Sequence, residues 1–161
     1  MILLSDANAL MDLGHVRGLH ALLQLAPIEI LDVVLKECHH HSQPNLVTDI
    51  HAAGIKEIKS QLSWLSLMQP DLSRRLSMQD RLNFYYAQTF SRTLLTNERQ
   101  LRQTCQKNNL EVHGTVWIIS EMHSRRITEA KTLCQWLEIL LALDRRLPLP
   151  EIAALKQALG C

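Results

Sequence analysis

Four acidic residues from distant segments carry the clearest chemistry in this sequence. Each follows a predicted strand or lies in a predicted helix; they are Asp6, Glu37, Asp80 and Glu98. In a parallel sheet, the polar residues that act on ligands lie beyond the carboxyl ends of the strands. Carboxylates gathered there repel one another, and a divalent cation such as Mg²⁺ or Mn²⁺ removes that conflict. The four acids therefore predict a metal site that could activate water and neutralise charge on a phosphoryl group.

Strand-like and helix-like segments alternate along the chain, which is the order that builds a parallel sheet with helices on both faces. Short apolar runs predict strands at 2–4, 28–31, 55–58, 93–96 and 110–112. Periodicity, caps and glycine stops predict helices at 9–26 with breaks near Gly14 and Gly18, at 33–41, at 46–53, from Ser77 onward, and at 97–107, 114–122, 128–143 and 150–159. On the helix that starts at Ser77, the core-facing residues are expected to be Leu82, Tyr85, Tyr86 and Phe90.

The composition fits one compact domain and excludes a broad basic surface. The chain has 161 residues, of which 47% are hydrophobic, and 17 Lys and Arg against 16 Asp and Glu give a net charge of +1. If four acids are gathered at one edge of the sheet, the remaining surface is positive on balance. A polyanionic ligand would then depend on bound metal more than on a basic face.

The sequence also predicts a cytoplasmic protein without a membrane segment. Its apolar stretches are short, and the first residues reach Asp6 before a signal-peptide core could form. The four cysteines form no C-x-x-C pair, so we expect free thiols at Cys38, Cys105, Cys134 and Cys161. Trp64, Trp117 and Trp136 are expected in the core or at a subunit interface, and His113 at the surface.

Several motifs, in their order and spacing, resemble those of PIN domains. The segment from Leu4 to Leu10 is similar to their D-T-N-V-L start, and Val34–Glu37 to the V-x-x-E that places a second acid. Leu76–Asp80 resembles L-S-x-x-D, and Leu94–Arg102 resembles L-L-T-x-D-x-x-L-R. One bacterial subgroup ends in G-L-x-V-x-G-T-x-W-L-L, which Leu110–Ile119 closely resembles. The Arg145–Pro148 segment and the helix from Glu151 resemble the C-terminal extension of that subgroup.

The resemblance implies a three-layer α/β/α sandwich around a parallel central sheet, with extra C-terminal helices. Residues 1–161 would form a single PIN-like domain, divided into an α/β core at 1–125 and a helical extension at 126–161. The implied activity is that of a metal-dependent endoribonuclease, commonly the VapC-like toxin of a type II toxin–antitoxin pair. The implied partners are RNA, a small antitoxin protein and a second copy of the chain.

By position in the motifs, Asp6, Glu37, Asp80 and Glu98 would be the catalytic residues and would bind Mg²⁺ or Mn²⁺. Asn8, Thr96 and Asn97 would orient these carboxylates, because metal ligands are generally held by further hydrogen bonds. Arg99 and Arg102 follow the fourth acid on its helix and would reach an RNA phosphate.

Two departures from the family pattern favour an alternative function. Glu98 stands where the family usually has Asp, which moves the carboxylate out by one methylene, and Ala7 replaces a common Thr. The alternative is therefore a catalytically weak or inactive PIN-fold protein that binds RNA or a partner. A phosphoacceptor signalling domain ranks last, because Asn97 and Glu98, rather than a Lys, follow the strand at 93–96. Any one of the four acids alone would more commonly be a helix cap or a solvated charge.

Overall fold

The computed structural model describes residues 1–68 and 75–161. Its five strands are β1 (Leu3–Ser5), β2 (Ile28–Leu31), β3 (Lys56–Ile58), β4 (Thr93–Leu95) and β5 (Val112–His113). They form one sheet in the order β3-β2-β1-β4-β5, and every pairing is parallel. Leu3 pairs with Ile28 on one side and with Thr93 on the other, so β1 is the central strand.

Helices alternate with these strands and surround the sheet. They are α1 (Ala7–His15), α2 (Leu19–Leu25), α3 (Asp32–Glu37), α4 (Leu46–Ala53), α5 (Trp64–Leu67), α6 (Met78–Phe90), α7 (Arg99–Lys107), α8 (Thr115–Ser124), α9 (Ala130–Ala142) and α10 (Leu149–Leu159). The helix α6 packs on β4, α5 and α7, while α1, α2 and α8 pack with one another. The predicted α/β/α sandwich with a parallel central sheet is confirmed.

Local sequence signals account for most of the element boundaries. The strand β2 and the helix α4 have the predicted bounds, and Gly54 ends α4 in the left-handed conformation at φ 94°. The Ser77 side chain caps α6 by accepting a hydrogen bond from the Asp80 backbone N–H at 3.1 Å. The predicted interruption of the first helical region is real, since Val16–Gly18 separates α1 from α2.

Two expectations about buried side chains and one about the cysteines are wrong. Tyr85 is only half-buried and Phe90, the last residue of α6, is 46% exposed, because both rings pack against Trp64 of α5, which is itself only partly buried. Cys134 and Cys161 form a disulfide that ties residue 161 to α9, with their Cα atoms 6.2 Å apart. Cys38 and Cys105 are free and buried, as expected.

The C-terminal helices are packed onto the rest of the fold. The helices α9 and α10 contact each other, α9 also contacts α1, and α10 contacts α8. Trp136 of α9 is buried, as predicted, and two of its ring carbons stand within about 3 Å of the position that a Cβ on Gly18 would occupy. Across the two described ranges, no helix is long and apolar enough to span a bilayer.

Candidate functional site

The four acids predicted from the sequence line one cavity. This acid cavity has a volume of about 350 Å³ and lies at the carboxyl ends of β1, β2 and β4. Asp6 directly follows β1, Glu37 is the last residue of α3, Asp80 lies in the first turn of α6, and Glu98 immediately precedes α7. Arg75 is the basic residue among the described lining residues, and Asn8 and Ser77 also line the cavity.

Asp6 is the most firmly held of the four carboxylates. It is buried, and its Oδ1 caps α1 by accepting a hydrogen bond from the Ala9 backbone N–H at 2.8 Å. Its Oδ2 accepts a hydrogen bond from the Thr96 hydroxyl at 2.5 Å. The same hydroxyl accepts a hydrogen bond from the Glu98 backbone N–H at 3.0 Å, which directs its proton toward Asp6. Thr96 therefore fixes the orientation of Asp6 and links the ends of β1 and β4.

The acid cavity raises the pKa of three of its carboxyl groups. Burial raises the pKa of Asp6 to about 7, against the lowering effect of its hydrogen bonds from Thr96 and Ala9, and Asp80 adds a smaller repulsion. Burial, followed by repulsion from Asp80, raises the pKa of Glu37. Burial, followed by repulsion from Glu98, raises the pKa of Asp80. The acids are therefore close enough to disfavour one another's charge, as predicted for a site that a cation would relieve.

The donors of the acid cavity fit a hard divalent cation by their chemistry. All four are carboxylates, the ligand type that Mg²⁺ and Mn²⁺ prefer, and none forms an ion pair within the described part of the chain. Among residues 1–68 and 75–161, however, no three His, Cys, Asp or Glu side chains are arranged to hold one ion. The carboxylates line the cavity without converging on a single point.

Asn8 and Asn97 were both predicted to orient the acids, but only Asn8 lines the acid cavity. Asn8 is exposed and lines the acid cavity. The Asn97 side chain turns away from that cavity, donating a hydrogen bond to the Thr115 hydroxyl at 2.7 Å and accepting one from the Thr115 backbone N–H at 2.9 Å. Asn97 also donates a hydrogen bond to Asp12 at 3.1 Å, so it joins the end of β4 to α1 and α8 rather than orienting the four predicted acids.

A fifth acid, Asp12 on α1, was not singled out from the sequence. Its side chain is 2% exposed and accepts a hydrogen bond from the Thr115 hydroxyl at 2.8 Å. Arg145, which lies between α9 and α10, forms an ion pair with it over 2.5 Å. The one sequence signal is a charge on an otherwise apolar helix, flanked by Met11 and Leu13. Its partner lies 133 residues away, which no local pattern indicates.

Arg99 and Arg102 line a second cavity, which is distinct from the acid cavity and has a volume of about 480 Å³. One terminal nitrogen of Arg102 donates a hydrogen bond to the Thr96 carbonyl at 3.2 Å. Gly114 permits this arrangement, because a Cβ there would stand 2.5 Å from the Asn97 side-chain oxygen and 2.7 Å from Arg102. None of the four acids lines this cavity, so the two arginines do not share a cavity with them.

Comparison with known proteins agrees with the fold and with the resemblance to PIN domains. A family model described as a PIN domain, DUF3368, matches residues 2–160. The crystal structure of PAE2754 from Pyrobaculum aerophilum is similar, with a TM-score of 0.59 and 14% sequence identity over 77% of this chain and 90% of that chain. At that identity the likeness concerns the fold alone. Among curated proteins, none matches this chain.

Proposed function

Because the chain belongs to the PIN-domain family, whose members are generally nucleases, we propose that it is a metal-dependent endoribonuclease. The observation that carries this proposal is the acid cavity, in which four carboxylates from distant segments lie together and Arg75 is the one basic residue among the described lining residues. A structural role would not need four acids there, since each raises the cost of ionising its neighbours. A nuclease needs them, because they bind the ions that neutralise a phosphodiester.

The four carboxylates of the acid cavity would have different roles in the reaction. Asp6, Glu37, Asp80 and Glu98 would hold Mg²⁺ or Mn²⁺, which supplies charge neutralisation and an activated water when bound. Asp6 is already fixed by Ala9 and Thr96, so it would serve as the rigid ligand. Glu98 is exposed and has the longer side chain, so it would adjust its position most. A cation would replace the proton that Asp6 otherwise holds near neutral pH.

The activity is tested by incubating the purified protein with single-stranded RNA and Mn²⁺ or Mg²⁺, with EDTA in a parallel sample. We expect metal-dependent cleavage that EDTA abolishes. Asp80→Asn should lower the rate by at least roughly 10- to 100-fold, the loss that even residues merely orienting metal ligands cause. Asp49→Asn is the matched control, because Asp49 is exposed on α4 and outside the cavity. A metal-dependent rate that Asp80→Asn leaves unchanged would contradict the proposal.

A second candidate function is RNA or partner binding with little or no cleavage. It is favoured by Glu98 in place of the usual Asp and by the acids that do not converge on one point in the described part of the chain. The same incubation separates the two candidates. RNA that is bound but stays intact with either metal would support the second.

We further propose that the protein is the toxin of a type II toxin–antitoxin pair, acting in the cytoplasm as a homodimer with a small antitoxin partner. The resemblance of the sequence motifs to VapC-like proteins supports this role. Expression of the wild-type chain in a bacterial host should arrest growth, whereas Asp80→Asn should not. Co-expression of the product of the neighbouring reading frame should relieve the arrest; continued growth without it would contradict the toxin role.

We also propose that residues 1–161 act as a single domain, in which the helical extension at 126–161 supports the α/β core at 1–125. Its support is the ion pair between Asp12 of α1 and Arg145, which follows α9. Asp12 lies six residues after Asp6, on the helix that Asp6 caps. The extension therefore helps to hold the helix that begins at the acid cavity.

A further inference from the structure

The second cavity, lined by Arg99 and Arg102, has the opposite charge character to the acid cavity. A third arginine, Arg146, also lines it, and Glu151 is the one acid among its described lining residues. We call it the arginine cavity. It lies between α7, the start of α8 and the connection that leads into α10. Its volume of about 480 Å³ falls within the range of roughly 300–1,000 Å³ that small-ligand sites occupy.

One wall of the arginine cavity is a stacked aromatic pair. The rings of His113 and Trp117 lie parallel, with 4.0 Å between their centroids and 7° between their planes. Both residues are half-buried and line the cavity, and Trp117 also packs against the hydrophobic core, which is one of the two positions expected for it. Glu111 holds the imidazole through His113 Nε2 at 2.9 Å. The pair is therefore a fixed flat surface on which a planar ring could stack.

Guanidinium groups beside a flat aromatic surface suit a nucleotide better than a simple anion. Arginine binds phosphate through paired N–H donors. Aromatic side chains bind unpaired bases by stacking, largely regardless of base identity. The lining also includes the apolar residues Val116 and Leu147, and the three arginines outnumber its one acid, Glu151.

The arginine cavity and the acid cavity both adjoin a middle cavity of about 310 Å³. The middle cavity shares Asn8 and Glu98 with the acid cavity. It shares Asn97 and Arg146 with the arginine cavity. The three cavities are therefore neighbours, with the middle cavity between the one lined by the proposed metal ligands and the one lined by the aromatic pair.

We propose that the arginine cavity binds a nucleotide of single-stranded RNA next to the position of cleavage, with its base stacked on the Trp117–His113 pair and its phosphate held by Arg99 and Arg146. This inference rests on the proposed nuclease function only for the position of cleavage. The nucleotide itself is bound by residues outside the acid cavity. A duplex is excluded from this mode of binding, because its bases are stacked within the helix.

The test measures binding of a short fluorescein-labelled single-stranded RNA by fluorescence anisotropy in EDTA, so that nothing is cleaved. Trp117→Leu should weaken binding roughly ten-fold, as expected when one base loses its aromatic partner. Arg146→Gln should weaken binding and lower the slope of log affinity against log salt by about 0.7, the value for one phosphate contact on a single strand. Arg126→Gln is the matched control, because Arg126 is exposed and lies outside all three cavities.

Two further probes identify what the aromatic pair recognises. An RNA with abasic positions should bind Trp117→Leu and the wild type with equal affinity. Its affinity should still fall when Arg146 is replaced by Gln. Double-stranded RNA of the same length should bind less tightly than the single strand. If Trp117→Leu is too unstable to measure, Arg146→Gln, at an exposed position, carries the test alone.

The outcomes separate this inference from the proposed function. Cleavage with Mn²⁺ that is lost in Asp80→Asn, together with unchanged EDTA binding by Trp117→Leu and Arg146→Gln, would overturn the nucleotide site and leave the nuclease. Absence of cleavage, together with EDTA binding that depends on Trp117 and Arg146, would overturn the nuclease and leave the nucleotide site. A wild-type protein that does not bind the labelled strand, or that binds the duplex as tightly, would also overturn the nucleotide site.

Discussion

Replacing Asp6 by Asn should make the protein more stable above neutral pH, although it removes a proposed metal ligand. Burial raises the pKa of Asp6 from its ordinary value of 3.8 to about 7. Between these two pH values the folded chain holds a proton that the unfolded chain has lost. The free energy of unfolding of the wild type therefore falls as pH rises through this window and levels off above it.

The size of the effect follows from the shift and from the hydrogen bonds of Asp6. Three pKa units correspond to ~4 kcal/mol of destabilisation in the charged form. Asn can keep the cap to the Ala9 N–H, since Asn and Asp cap helices about equally well. Its amide nitrogen would face the Thr96 hydroxyl, which now donates to Oδ2, and this mismatch costs ~1 kcal/mol. The net gain is ~3 kcal/mol well above pH 7.

Urea denaturation followed by circular dichroism measures this gain across a pH series. The difference between Asp6→Asn and the wild type should be near zero or slightly negative at about pH 4 and should grow to ~3 kcal/mol at about pH 8. Using the difference cancels the other titrating groups. Saturating Mn²⁺ at 100 times its Kd should stabilise the wild type by ~2.7 kcal/mol and leave the variant unchanged. A variant that is less stable than the wild type at every pH would refute the reasoning.

Three further predictions concern the supports of the site. Arg145→Met leaves the buried Asp12 carboxylate without its cation and should lower the free energy of unfolding in urea by ~3–5 kcal/mol; a loss below ~1 kcal/mol would show that the pair adds little. Cys161→Ser opens the link to Cys134 and should cost ~3–4 kcal/mol for a separation of 27 residues, and dithiothreitol should destabilise the wild type by as much without affecting the variant. Gly114→Ala places a methyl group against two polar side chains and should cost ~1–3 kcal/mol in thermal unfolding; an unchanged melting temperature would contradict the close approach.

Much of the fold could be predicted because its signals are local. Apolar runs place β2 and the other strands to within two residues, and Gly54 ends α4 where expected. The exposure of Phe90 could not be predicted from periodicity, because the period shows which face of a helix is apolar and not how much of that face the neighbouring elements cover. The short helix α5 was not predicted at all, since four residues give no period.

The candidate site likewise has features that local sequence signals indicate and features that they do not. The acids could be predicted as a group because parallel strands bring their carboxyl ends to one edge, and the structure places all four around one cavity. The role of Asn97 differs from the expectation, since its neighbours in space are Asp12 and Thr115 rather than the adjacent Glu98. Arg99 follows Glu98 in sequence yet lines a different cavity, because successive residues at a helix start point in different directions.

The sequence by itself determined the family, the order of the five strands and the four acids, since periodicity, caps and strand ends depend on neighbouring residues. The tertiary structure decided which distant polar groups share a cavity. It paired Asp12 with Arg145, and it assembled the arginine cavity from Arg99, Trp117 and Arg146. The physical reason is that hydrophobic patterning selects which face of an element is buried, whereas the packing of the whole chain fixes what stands opposite each exposed group.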